Sequence, residues 1–230
     1  MSAMTAEPVA NTFDVTTPGG RFKTYADYLW NDHAYLRLGF QNAHWISDEL
    51  LRTNQPWPHQ LAAWRRRGIR TVLNLRGSAD GGAQKIEREA CAELGLELIE
   101  FRVSSKEAPS REQILGARQL FEQIAYPALM HCKSGADRTG LMSVLYLHFR
   151  KGRPIAEALE QLSLRYLHLK SGRPGVLDAV FARYLEEAQP LGLSFADWVE
   201  SPAYDPKAIQ AEHAKQMKRS WLTEGLLRRE

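Results

Sequence analysis

ALMHCKSGADRTGLMSVLYL, residues 128–147, changes character twice within twenty positions. Ala128 to Met130 is an apolar run of strand length, Leu141 to Leu147 is apolar over two helical turns, and between them Cys132 to Thr139 carries glycine and charge. A strand that stops at a cysteine, a tight connection and a helix on its far side form one unit of a parallel α/β sheet. In such sheets ligands sit beyond the carboxyl ends of the strands, where loops run into helix N-termini. Inward-pointing backbone N–H groups of Lys133, Ser134, Gly135, Ala136, Asp137 and Arg138, together with the helix dipole, suit an oxyanion. The same field favours a thiolate, which makes Cys132 a candidate nucleophile. Arg138 supplies a planar fork for two oxygens of a bound anion. Thr139 can donate its hydroxyl toward the sulfur, and His131 is placed to tune the surroundings rather than to act as a base.

Working outward, the alternation continues. A strand is expected around Glu49 to Arg52, a helix in PWPHQLAAWRRRG (residues 56–68) and a buried strand in TVLNL (71–75). GSADGG (77–82) reads as a turn, AQKIEREACAEL (83–94) as a helix, ELIEFRV (97–103) as a strand, SSKEAPS (104–110) as a polar loop and REQILGARQLFEQI (111–124) as a helix leading to the cysteine strand. Further helices are expected over Thr139–Arg150, Pro154–Leu169, Pro174–Gln189 and about Pro206–Leu222. The fold class is α/β, with a central, mainly parallel sheet flanked by helices.

This organisation divides the chain into a flexible arm (1–20), an aromatic-rich extension expected to pack on the domain as a helix (21–44), a catalytic domain (45–190) and a basic helical tail (191–230). The tail mixes Lys and Arg with Met217, Trp221, Leu222, Leu226 and Leu227. Packing on the domain or a partner is favoured over peripheral contact with a membrane.

Composition narrows the classes. In 230 residues the hydrophobic content is 44% and the formal net charge +3, too mild to point to nucleic acid. The apolar run at residues 141–149 is too short to cross a bilayer, and the N-terminus lacks a secretory leader pattern, so a cytoplasmic location is expected. Two cysteines and seven scattered histidines suggest neither a disulfide framework nor a structural metal. Cys91, among Ile86, Ala90 and Leu94, reads as a packed helix position rather than a redox partner.

HCKSGADRTG, residues 131–140, resembles the signature of the cysteine-based protein tyrosine phosphatase superfamily, closest to its dual-specificity branch. RTNQP (52–56) and GIRTVLNLRG (68–77) extend the resemblance to bacterial and plant-fungal members. It implies hydrolysis of phosphate monoesters through a phosphocysteine, with Cys132 as nucleophile, Arg138 as phosphate clamp, the amides of residues 133–138 as cradle, and no metal or other cofactor. The family places a general-acid Asp in the loop before the signature, but here that loop holds only Glu107. Asp137 is slightly favoured as the acid, with Glu107 and Asp80 as alternatives, because CKSGADRTG is also similar to the loops of phosphoinositide phosphatases, where Lys133 and Asp137 have counterparts. The expected substrate is a phosphorylated protein, with inositol or lipid phosphates as the alternative. A module that binds phosphorylated ligands without turnover is a third reading.

Overall fold

Neighbouring residues of each central strand enter opposite hydrophobic layers. In the computed structural model, which describes residues 13–78 and 81–227, Leu50, Leu73 and Met130 pack into one layer and Leu51, Val72 and Leu129 into the other. That is the period-two alternation of strands covered on both faces.

In chain order the elements are α1 (Pro18–Ala26), α2 (Leu36–Gly39), β1 (His44–Trp45), β2 (Leu50–Thr53), α3 (Pro58–Arg66), β3 (Thr71–Asn74), α4 (Gly82–Leu94), β4 (Glu97–Glu100), α5 (Arg111–Gln123), β5 (Ala128–His131), α6 (Asp137–Phe149), α7 (Ile155–Ala158), α8 (Val176–Arg183), α9 (Phe195–Glu200) and α10 (Pro206–Leu227). The sheet order is β1-β2-β5-β3-β4, parallel throughout except for β1. β5, the cysteine strand, is therefore central, and its last residue, His131, pairs in register with Thr53 and Asn74.

Leu61 and Trp64 of α3 with Ala90 and Cys91 of α4 fill one layer. The other holds Ile114 and Phe121 of α5, Leu141 to Leu147 of α6, Phe181 of α8 and Phe195 and Trp198 of α9. Each such side chain contributes roughly 1.5–3 kcal/mol by leaving water. α6 is buried from Thr139 to Leu147, which explains its nearly all-apolar sequence.

The extension behaves only partly as expected. Tyr28 is buried against Trp57, with ring centroids 4.6 Å apart, but Phe22 is 76% exposed and Trp30 65%. The helix expected over Phe22–Leu38 starts earlier, at Pro18 with Thr17 as N-cap, and is broken after Asn31. Residues 1–12 of the expected arm lie outside the described residues. The helix expected over Pro154–Leu169 is also broken, into α7 and two short 3₁₀ turns, ending where Leu167 adopts a left-handed backbone (φ 66°). This break frees the Gln161 carbonyl from helix bonding, with a use described below. α10 packs through Ile209, which enters the main core. Trp221, Leu222, Leu226 and Leu227, on which a membrane contact was considered, have side chains outside the described part. No helix among the described residues is long and apolar enough to cross a membrane.

Candidate active site

The turn after β5 is held by its carbonyls. The Cys132 carbonyl lies 3.2 Å from His131 Nδ1, Lys133 O accepts from Gln55 N (3.3 Å), and Ser134 O accepts from Asn42 Nδ2 (3.0 Å). Gly135 O and Ala136 O accept from one guanidinium nitrogen of Arg52 (2.8 and 3.2 Å). Five consecutive carbonyls, those of residues 132–136, are thus engaged, which fixes the backbone of the turn, and the Gly135 and Thr139 amides are directed at the Cys132 sulfur.

Arg52 carries most of this. It is fully buried on β2, stacks 3.9 Å above the Tyr166 ring, and donates from its other terminal nitrogen to Gln161 O and Oε1 (2.9 and 2.8 Å). Burial lowers its pKa to about 10, and Tyr166 and Cys132 oppose that fall, so it stays charged at neutral pH. Gly135 is required where it stands. Its φ is +74°, and a Cβ there would come within 2.7 Å of the Asn54 backbone nitrogen.

Cys132 is 1% exposed. Burial pushes its thiol up, but the Arg138 charge, the Thr139 hydroxyl and amide and the Gly135 amide outweigh it, and the net pKa falls below the ordinary value. The Thr139 hydroxyl is buried with no other partner among the described residues, and its influence falls on the Cys132 sulfur, whose anion it favours. Cys91 is the opposite case. Burial, aided by Glu87, raises it to about 12.

Beneath the turn, Glu87 Oε1 lies 2.8 Å from His131 Nε2, both buried, while Glu87 Oε2 accepts from Asn74 Nδ2 (2.5 Å). To one side Asp32 gathers cations: Arg37 at 2.5 Å, Arg76 at 2.7 Å and Lys133 at 3.5 Å. Burial raises its carboxyl pKa, but Arg76 and Arg37 outweigh that and hold it below the usual range.

A cleft of about 480 Å³ opens above, lined by Arg76, Arg102, Ser104, Lys106, Glu107 and Arg138 among others. Of the three sequence candidates for a general acid, Glu107 lines this cleft and Asp80 lies outside the described residues. Asp137 is not among the lining residues. Its Oδ1 sits 2.8 Å from His168 Nδ1, and His168 Nε2 sits 2.7 Å from Asp178 Oδ2. Burial pushes the His168 ring down, but hydrogen bonds and charge from the two carboxylates raise it to about 9, so it is an imidazolium at neutral pH.

Because that pKa is raised on folding, the triad's stabilisation is complete below about pH 6.5 and is lost as pH climbs through 9. The stability advantage of the native chain over His168→Gln should therefore shrink by on the order of 3 kcal/mol between pH 6.5 and 10. Urea unfolding of both proteins across that range measures it, and a constant gap would mean that the imidazole is neutral.

Asn42, Asp32, His168 and Asp178 carry no local signature, and Arg52 and Gln55, although they lie in the RTNQP stretch, are given no role by it. The nearest to a signal is Arg52 itself, a charged residue directly after Leu50-Leu51 in an expected strand. Among the described residues no group of three or more His, Cys, Asp or Glu side chains is placed to hold a metal ion.

Residues 45–172 match a family model described as DSP-PTPase phosphatase fused to NAD+ kinase. Among solved structures, P. aeruginosa TpbA in complex with pTyr is similar at TM-score 0.50 and 20% identity, over 68% of this chain and 90% of that one. Tk-PTP in its active form (TM-score 0.49, 20% identity, 64% and 97% covered) and PTPMT1 (0.48, 16%, 64% and 99%) also match. No curated protein matches.

Proposed function

Since the chain belongs to the family of DSP-PTPase phosphatases described as fused to NAD+ kinase, and is thereby a cysteine-dependent phosphatase of the protein tyrosine phosphatase superfamily, we propose that Cys132, Arg138 and the 133–138 amides carry out its chemistry, with Glu107 as general acid. The observation that carries this reading is the convergence of the Arg138 charge, the Thr139 hydroxyl and the Gly135 and Thr139 amides on the Cys132 sulfur, at a turn whose Arg138 lines the cleft.

The phosphoryl oxygens of a monoester accept from the loop amides and from the Arg138 fork, which fixes phosphorus in line with the sulfur. The thiolate forms the S–P bond while the P–O bond to the alcohol breaks. Glu107 gives its proton to the departing oxygen. Water then attacks phosphorus, Glu107 takes back a proton, and the P–S bond breaks with the Thr139 hydroxyl stabilising the released thiolate. The steps return the enzyme unchanged and release alcohol and inorganic phosphate.

Glu107 is preferred to Asp137 on placement. Asp137 is bonded to an imidazolium and would have to give up that partner to carry a proton, whereas Glu107 opens on the cleft that Arg138 lines. In this reading Asp137 and His168 anchor the start of α6, and Lys133, tied to Asp32, adds charge at the mouth.

Phosphoprotein side chains, phosphotyrosine first, are the substrate class proposed. Inositol or lipid phosphates are the second reading, favoured by Arg76, Arg102 and Lys106 around the same cleft as Arg138. Leaving-group dependence tests the acid. Glu107→Gln should lose roughly 10²–10³-fold in kcat/KM on an alkyl phosphate and little on an aryl phosphate whose alcohol needs no proton. Asp137→Asn should lose about equally on both. The reverse pattern would return the role to Asp137.

A further inference from the structure

The loop that bears Glu107 is held from a distant part of the chain. Gln210, in the first turns of α10, accepts from Ala108 N through Oε1 (2.8 Å) and donates to Lys106 O through Nε2 (3.1 Å). One carboxamide thus closes on the residues immediately before and after Glu107, more than a hundred positions away in sequence. Beyond Gln210 the loop and the helix do not close on each other. A cleft of about 900 Å³ lies there, lined by Lys106 and Glu107 of the loop, by Gln210, His213, Met217 and Lys218 of α10 and by Arg173, among others. The neighbouring ties fall later in the loop: Tyr204 Oη donates to Pro109 O, and Arg111 donates to Glu200 O and Ser201 O (2.6 and 2.9 Å). None of the three brackets the carboxylate.

We propose that Gln210 is a positioning residue for proton transfer, fixing the backbone on both sides of Glu107 so that the carboxyl meets the leaving oxygen. The inference rests on Glu107 as the acid. It also places a necessary part of the catalytic unit outside residues 45–172, the segment that the family model covers. The chemistry suits the task. A carboxamide has one acceptor and two donors, so it can satisfy an N–H and a C=O at once, which neither a carboxylate nor an apolar side chain of the same length can do. Displacing an acid by an ångström costs proton transfer far more than it costs binding.

The test is a double-mutant cycle on the full chain with two esters. Gln210→Ala should lower kcat/KM on an alkyl phosphate roughly tenfold or more and on an activated aryl phosphate less than about twofold, with KM for phosphate-bearing ligands little changed. In a Glu107→Gln background the same substitution should change the alkyl rate less than about twofold, because the group it positions is gone. Gln210→Met, which keeps the length without the amide, should behave like Gln210→Ala, and circular dichroism and the thermal midpoint confirm that both variants fold. Losses that are equal on the two esters, or that multiply with Glu107→Gln, overturn the positioning role. If Glu107→Gln alone shows no dependence on the leaving group, the acid assignment fails first, and by a separate reading of the same plate.

Discussion

Cys132→Ser is expected to reduce turnover of an aryl phosphate by on the order of 10⁴-fold or more while leaving phosphate binding in place. The reason lies in the protonation state of the attacking atom. Arg138, Thr139 and the Gly135 amide bring the sulfur below its ordinary pKa despite complete burial. A serine hydroxyl in the same field starts many units higher and has no base to take its proton, because the His131 ring is directed at Glu87 and the Cys132 carbonyl. The thiolate can be read directly. Iodoacetate at mildly acidic pH should alkylate Cys132 and leave Cys91, whose thiol burial raises to about 12, unmodified. Inorganic phosphate should protect. Mass spectrometry reports both sites at once, and a Cys132 that reacts no faster than Cys91 at that pH would remove the basis of the mechanism.

Arg138→Lys should cost about 10²–10³-fold in kcat although the charge is kept, the scale of removing one donor from a preorganised oxyanion site. A guanidinium spans two equatorial oxygens as the phosphoryl group flattens; an ammonium meets one at a time. A second effect is independent of substrate. Arg138 is the largest influence that favours the Cys132 anion, so the pH at which iodoacetate reacts should move upward in the variant. Steady-state rates and the alkylation profile together separate the two roles. Activity within a few-fold of the native chain would mean that positive charge alone suffices at this position.

What could be read in advance was what lies close together along the chain. Cys132 to Arg138, the cradle proposed above, lie in a single stretch, and the runs at 71–75 and 128–131 can be placed as strands by their length and their flanking turns. The supports could not be read that way. Arg52 reaches Gly135 across 83 positions and Asn42 reaches Tyr166 O across 124; nothing local distinguishes Asn42 from an ordinary polar residue, and the charge of Arg52 in an expected strand does not say which carbonyls it holds. Asp137 illustrates the converse. The likeness of CKSGADRTG to phosphoinositide-phosphatase loops favours it as the acid, whereas its partner His168, 2.8 Å from its Oδ1, lies 31 positions on and is announced by nothing in that motif. The helix expected over 154–169 is interrupted for a reason equally remote in sequence: after the break the Gln161 carbonyl accepts from Arg52, 109 positions away. Phe22 and Trp30 are expected to pack because they are aromatic, yet they stay exposed, whereas Tyr28 is buried against Trp57 and Tyr25 packs half-buried on the same cluster.

A turn whose five carbonyls are already occupied has no loose conformation to lose when a ligand arrives. In the proposed mechanism it should accept any tetrahedral dianion of the right size, and the reaction's own product is one. Sulfate, arsenate and inorganic phosphate should therefore all compete with the ester, and wherever free phosphate exceeds its own inhibition constant the rate should follow the ratio of ester to anion rather than ester concentration alone.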